Sequence, residues 1–311
     1  VTGTAAPPAS LPRRIWNWLP RAVDRRVRVL AWLTLVTQIL IVGTGGAVRL
    51  TGSGLGCPTW PLCTDASLVA TPEMGIHGGI EFGNRLLSII VGIVAVALVV
   101  CVLRLRDRGD IRVPAIAILA LTIVQGFVGG ISVRVALDPA VVGLHFLASI
   151  VLVALSTVVV YRSFAGARGT LGVPRWYAII VHLTSAAVAV TVVVGVLTTG
   201  SGPHAGDDLA ARNGLDPVLL QHVHSWPAYA TAALTAVLVV AAFVGRYAAV
   251  RPFALGLLAV EVVQIVVGVV QARTGLPPLL VGVHMVLACV LVAAMTALVL
   301  SLRSTRAEVP A

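Results

Sequence analysis

The chain has 311 residues, 58% of them hydrophobic and only 11% charged, with a mean hydropathy of +1.00. An ordinary soluble domain carries about a quarter charged residues, so this composition excludes one. The formal net charge is +10, and all 22 basic residues are arginine. Most sit in the connections or at the ends of apolar runs, which reads as membrane topology and excludes a nucleic-acid footprint.

In chain order, residues 1–27 form a polar, Pro/Ala-rich and then basic tail. No small-residue cleavage site follows the first apolar run, so the tail is expected to be cytoplasmic rather than a signal peptide. Eight runs reach the roughly 20 residues needed to span a bilayer. They lie at about 28–50, 78–103, 112–133, 140–163, 175–198, 218–244, 251–272 and 278–302. Arginines precede the first span (Arg13, Arg14, Arg21, Arg25, Arg26, Arg28). They recur between spans two and three (Arg104, Arg106, Arg108, Arg112), and after spans four (Arg162, Arg168, Arg175), six (Arg246, Arg251) and eight (Arg303, Arg306). The alternate connections hold half of the 12 acids: Asp65, Glu73, Asp138, Asp207, Asp208 and Asp216. The positive-inside rule then puts both termini, including the tail 303–311, in the cytoplasm. The predicted fold is an all-α integral membrane protein with eight transmembrane helices.

The chain repeats itself. Gln125, Gly129, Arg134, Pro139 and His145 correspond to Gln264, Gly268, Arg273, Pro278 and His284 at an offset of 139. Thr51-Gly52-Ser53-Gly54 matches Thr199-Gly200-Ser201-Gly202 at an offset of 148. Each half, 28–163 and 175–302, has four spans. An even number makes a parallel repeat about an axis along the membrane normal, with two four-helix bundles. A weaker match at offset 140 aligns Glu81 with Gln221 and Asn84 with His224.

The repeat gives the histidines their meaning. His145 and His284 lie about 9 Å down spans four and eight by helix rise. Asn84 and His224 lie at a comparable depth in spans two and six. Opposed imidazoles on two helices can hold a haem iron from both sides. Taken alone, each could instead be a core histidine bonded to a carbonyl or part of a proton relay. His222 competes with His224 but aligns with Phe82. His77 shares a helical face with Glu81 and Asn84, as a ligand or near-site residue. His182 reads as structural and His204 as a loop residue. No compact cluster suggests zinc. Glu81, a carboxylate within a span, is a functional candidate, with an ion pair to Arg85 as the plainer reading. Gln221 replaces it in the second half. Glu261, a second buried acid, has no role beyond a hydrogen bond in packing. Arg49 and Arg85 lie at the outer level, as propionate partners or interfacial anchors.

The outer segment runs Arg49-Leu50-Thr51-Gly52-Ser53-Gly54-Leu55-Gly56-Cys57-Pro58-Thr59-Trp60-Pro61-Leu62-Cys63. Its two cysteines can form a disulfide in an oxidising compartment, or a metal-binding thiol pair. Cys101 and Cys289 read as buried apolar residues. This run, the Glu81-Phe82-x-x-Arg85 motif and the histidines opening spans four, six and eight together resemble the haem A synthase family, across essentially all eight spans.

That resemblance implies oxidation of a haem O methyl group to the formyl of haem A, for terminal oxidase assembly, in a bacterial cytoplasmic membrane. It implies haem O as substrate in the first half, near His145, His77 and Asn84, and haem B as cofactor in the second, ligated by His224 and His284. It implies Glu81 as the carboxylate needed for activity and Cys57–Cys63 as a disulfide. A haem O synthase and a membrane electron donor would be partners. The chain departs from the family pattern at Asn84, where a histidine is common, and in the outer loop 203–217, which lacks the cysteine pair of some relatives. A quinol-linked di-haem carrier of b type shares the histidines but not a reason for the Glu81/Gln221 difference. A haem transporter is the remaining alternative.

Overall fold

The structure is a computed structural model describing residues 16–166 and 168–305. The predicted tail segments 1–15, with Arg13 and Arg14, and 306–311, with Arg306, lie outside the described residues.

Each predicted span falls on one helix. These are α1 (Arg25–Leu50), α2 (Gly75–Val102), α3 (Gly109–Arg134), α4 (Pro139–Phe164), α5 (Arg175–Ser201), α6 (Pro217–Val244), α7 (Arg251–Arg273) and α8 (Pro278–Ser301). All eight are long and apolar enough to cross a membrane. The chain is therefore a multi-pass membrane protein. Local chemistry sets where the helices start. The Asp24 carboxylate accepts from the N–H groups of Arg26 and Val27 at the start of α1. Asp138 and Asp216 cap α4 and α6 in the same way, each followed by a proline whose missing N–H costs nothing in the first turn. Proline also opens α8.

The helices close into two rings of four. In the first, α1 packs on α2 and α4, and α3 packs on α2 and α4. In the second, α5 packs on α6 and α8, and α7 packs on α6 and α8. The rings meet where α8 touches α1 and α4, and where α4 touches α5. One continuous apolar core runs through both, from Val27 and Leu98 to Leu257 and Leu298. Outward faces carry Ile89, Ile93, Phe127 and Val240, all exposed. Such a surface suits lipid, where every backbone polar group must be satisfied within the helix.

One element departs from an all-α expectation. A short antiparallel pair joins β1 (Arg168–Leu171), between α4 and α5, to β2 (Arg303–Thr305), after α8. Neither segment alternates apolar and polar residues. Their pairing comes from the packing that brings the two helix ends together, so nothing local announces it.

The contact between the rings at α4 and α5 is tight at one point. A Cβ on Gly143 would lie 2.8 Å from Val196 Cγ1. Gly143→Leu is expected to destabilise the protein by about 1–3 kcal/mol, the range for overpacking. Thermal unfolding in detergent measures this; an unchanged midpoint would mean that the α4–α5 contact relaxes freely.

Candidate functional site

In the first ring a cavity of about 290 Å³ lies among α1–α4, the loop after α1, and Ala205 and Gly206 of the loop between α5 and α6. Arg49, Glu81, Asn84, Arg85 and His145 all line it, together with Trp60 and Gln125. Five residues singled out in sequence thus meet in one space. His77 is not among its lining residues; its Nδ1 is 2.8 Å from Ser53 Oγ, in a hydrogen bond that ties α2 to the loop.

Glu81 is 5% exposed, and both its oxygens are engaged. Oε1 accepts from Arg85 Nη2 at 2.5 Å and Nε at 3.1 Å, and Oε2 accepts from the Cys57 N–H at 2.7 Å. Arg85 also donates to the carbonyls of Cys57 and Leu62, at 3.1 and 3.2 Å. Cys57 and Cys63 are joined as a disulfide. The ion pair anticipated from the i, i+4 spacing therefore forms, and it also clamps the cross-linked loop onto α2. Burying two charges is costly unless they are paired and hydrogen-bonded, as these are.

Arg49 reaches away from its own ring. Its Nε donates to the His204 carbonyl at 2.6 Å and its Nη2 to the Thr199 carbonyl at 2.9 Å, both in the second half. His204 is itself fixed, with Nε2 2.9 Å from the Leu276 carbonyl. Asn84 Oδ1 accepts from Thr44 Oγ1 at 2.7 Å, across α1 and α2.

In the second ring His224 of α6 faces His284 of α8, with ring centroids 6.3 Å apart and planes at 74°. His222 and Gln221 are exposed on the same helix, so the fold brings His224, not His222, to His284. His182 is also exposed. Glu261 is buried in α7; its Oε1 accepts from Thr235 Oγ1 at 2.8 Å, while Oε2 has no partner.

The His224–His284 pair fits a haem iron. Metal–imidazole bonds of about 2 Å on either side of one ion put ring centres about 6 Å apart, close to the observed spacing. Nδ1 of His145, His224 and His284 is in each case buried without a hydrogen bond. An unpaired buried polar atom costs about 1–3 kcal/mol, so these rings are not explained by packing alone. Among the described residues, no three His, Cys, Asp or Glu side chains gather as for a bare metal ion.

Some contributors went unrecognised as such in the sequence. Gln125 Nε2 donates to the His145 carbonyl at 2.8 Å, and Gln264 Nε2 to the His284 carbonyl at 3.1 Å. Gly129 and Gly268 sit against the Cε1 edges of those same rings, at 3.5 and 3.1 Å from a built Cβ, and Gly195 at 2.8 Å against His224. A side chain at Gly268 or Gly195 would push the imidazole aside. The offset of 139 pairs both the glutamines and the glycines, and that recurrence was the available signal. Trp60 and Thr44 carried no such signal.

Arg85→Leu is expected to cost about 3–5 kcal/mol, because it strands the Glu81 carboxylate. Adding Glu81→Leu should recover most of the loss. Unfolding midpoints of the two single variants and the double variant check this, and simple additivity would argue against a coupled pair.

A model described as cytochrome oxidase assembly protein (COX15-CtaA) matches residues 28–296. A heme A synthase of Exiguobacterium sibiricum is 29% identical over 126 residues, covering 40% of this chain and 42% of the relative. One from Halalkalibacterium halodurans is 30% identical over 145 residues, covering 46% and 47%. One from Listeria welshimeri is 30% identical over 154 residues, covering 47% and 50%. The aligned chain thus spans about half the length of these curated relatives. The family match, by contrast, runs from the first helix to the last: the chain belongs to the COX15-CtaA family of cytochrome oxidase assembly proteins.

Proposed function

We propose that this protein is a membrane oxidoreductase that oxidises a methyl group of haem O to the formyl group of haem A, for terminal oxidase assembly. The observation that carries this reading is the difference between the two rings. One places two imidazoles opposite each other, with ring centroids 6.3 Å apart. The other sets a single imidazole, His145, in a cavity with the Glu81–Arg85 pair. A carrier of electrons between two equivalent haems has no use for that difference. The heme A synthase names of the relatives point the same way.

In this reading the second half, 175–302, holds haem B through His224 and His284, and the first half, 28–163, holds haem O near His145. The two rings form a parallel repeat, supported by their matching packing and by residues paired at offset 139. Both termini face the cytoplasm of a bacterial cell, and the Cys57–Cys63 loop lies on the opposite side of the cytoplasmic membrane. A haem O synthase supplies the substrate, and a membrane electron donor serves the cofactor. Haem B, when bound, supplies a one-electron carrier.

The chain's own residues position and handle charge. Gln125 and Gln264 fix the backbone carbonyls of His145 and His284, holding each histidine at its depth. Of the two cavity arginines, Arg85 spends all three nitrogens on Glu81 and the loop carbonyls, whereas Arg49 spends Nε and Nη2 on the His204 and Thr199 carbonyls and keeps Nη1 for an acidic propionate edge. Oxidising the methyl group moves protons as well as electrons, and among the described residues Glu81 is the only carboxylate lining the cavity. It can receive a proton on Oε2, becoming a neutral acid, while Arg85 still donates to Oε1 and holds the group in place.

Glu81→Gln should therefore keep bound haem B and lower haem A formation about 10²–10⁴-fold, the usual weight of a proton-transferring group. His224→Ala or His284→Ala should remove the low-spin haem B spectrum. Pyridine haemochrome spectra and haem extraction, after co-production with a haem O source, read both. Undiminished haem A with Glu81→Gln would remove Glu81 from the chemistry. Haem B without any haem A in the unaltered protein would favour a b-type electron carrier.

A further inference from the structure

Resting on the proposed function, we infer that the first ring grips the iron of its haem by His145 alone and leaves the opposite axial position open to a neutral diatomic ligand. The comparison is internal to the chain. At offset 140, Asn84 of α2 occupies the place that His224 holds in α6. In the second ring that place carries an imidazole facing His284 across 6.3 Å. In the first it carries an amide, whose only atom suited to ligate iron is the oxygen. That oxygen is committed: it accepts from Thr44 Oγ1 at 2.7 Å, turned toward α1.

Among the described residues lining the cavity, no other side chain supplies a second strong ligand. His77 lies seven residues before Asn84 on α2, about 10 Å away along the helix, and its ring is bonded to Ser53 outside the cavity lining. Both oxygens of Glu81 are held, by Arg85 and by the Cys57 N–H. The other polar lining residues are neutral hydroxyls and amides, such as Ser88, Thr122 and Ser149, and the cationic Arg49. A haem bound there has one imidazole and one vacant face, whereas His224 and His284 close both faces in the second ring. With a single axial histidine, it is the polarity and access of the vacant side that decide small-molecule binding. Here that side has the Thr44–Asn84 hydrogen bond. The two rings thus differ in ligand access: the first admits carbon monoxide or dioxygen to iron, the second does not.

The test uses the intact protein purified after co-production with a haem O source. Its readouts are extracted haem content, the spin state of the oxidised protein by electron paramagnetic resonance, and the carbon monoxide difference spectrum of the reduced protein. The expected result is a high-spin, carbon monoxide-binding haem O beside a low-spin, unreactive haem B. His145→Ala should lose haem O and the carbon monoxide band together, leaving haem B. Asn84→His should keep haem O, convert it to low spin and cut the carbon monoxide band at least about tenfold, by completing the coordination. A low-spin, unreactive haem O in the unaltered protein overturns the inference. If His77→Ala then creates the band, His77 is the second ligand. If His145→Ala changes no haem O content, or no haem O is bound at all, the assignment of haem O to the first ring fails instead, and the inference falls with it.

Discussion

A polar atom inside an apolar helix bundle has to find a partner within the protein, since neither lipid nor core offers one. Most of this chain obeys by local means. Thr34, Ser156, Thr157 and Thr184 return their hydroxyls to carbonyls of the preceding helical turn. Against that background the exceptions stand out, and they gather in few places. Among the described residues, five of the eight such atoms are Nδ1 of His145, His224 and His284 and Oε1 of Gln125 and Gln264; the other three, Arg251 Nε, Glu261 Oε2 and Gln271 Oε1, all belong to α7. The same constraint explains Glu81, whose buried charge persists because Arg85 and the Cys57 N–H take both its oxygens.

The two rings build with the same parts and diverge at a few positions. In each, a glutamine from the third helix fixes the carbonyl of a histidine on the fourth, and a glycine one turn further along seats the imidazole. What changes is the second helix. It carries Glu81 and Asn84 in one ring, and Gln221 and His224 in the other. With Arg85 standing where the other ring has Ser225, three differences on one helix separate a pair of opposed imidazoles from a single imidazole beside an ion pair. The proposed division of labour between a carrier haem and a substrate haem grows from that difference.

The rings are also joined where their sites lie. Arg49, on the wall of the first cavity, spends two donors on carbonyls of the second half. Gly54 N–H donates to the Gly206 carbonyl at 2.8 Å beside it, and His204 carries the link on to Leu276 at the α7–α8 corner. The loop between α5 and α6 thus bears on the first cavity directly, through Ala205 and Gly206 on its wall, and through Arg49, without passing through the apolar core.

The sequence by itself determined the eight helices, their order and the residues that share a depth. These depend on local quantities: runs of apolar residues, a rise of about 1.5 Å per residue, and an offset that survives between the halves. The spacing of Glu81 and Arg85 likewise announced their pairing, because four residues on a helix make neighbours. The choice of His224 over His222 needed the offset to suggest it and the fold to bring the ring against His284. Only the tertiary structure decided that His77 turns to Ser53, that Asn84 turns to Thr44, that Arg49 crosses to the other ring, and that β1 meets β2. Each of those contacts joins segments far apart in the chain. Their geometry depends on how each helix is rotated and tilted against its neighbours, and that comes from the packing of the whole bundle rather than from any local pattern.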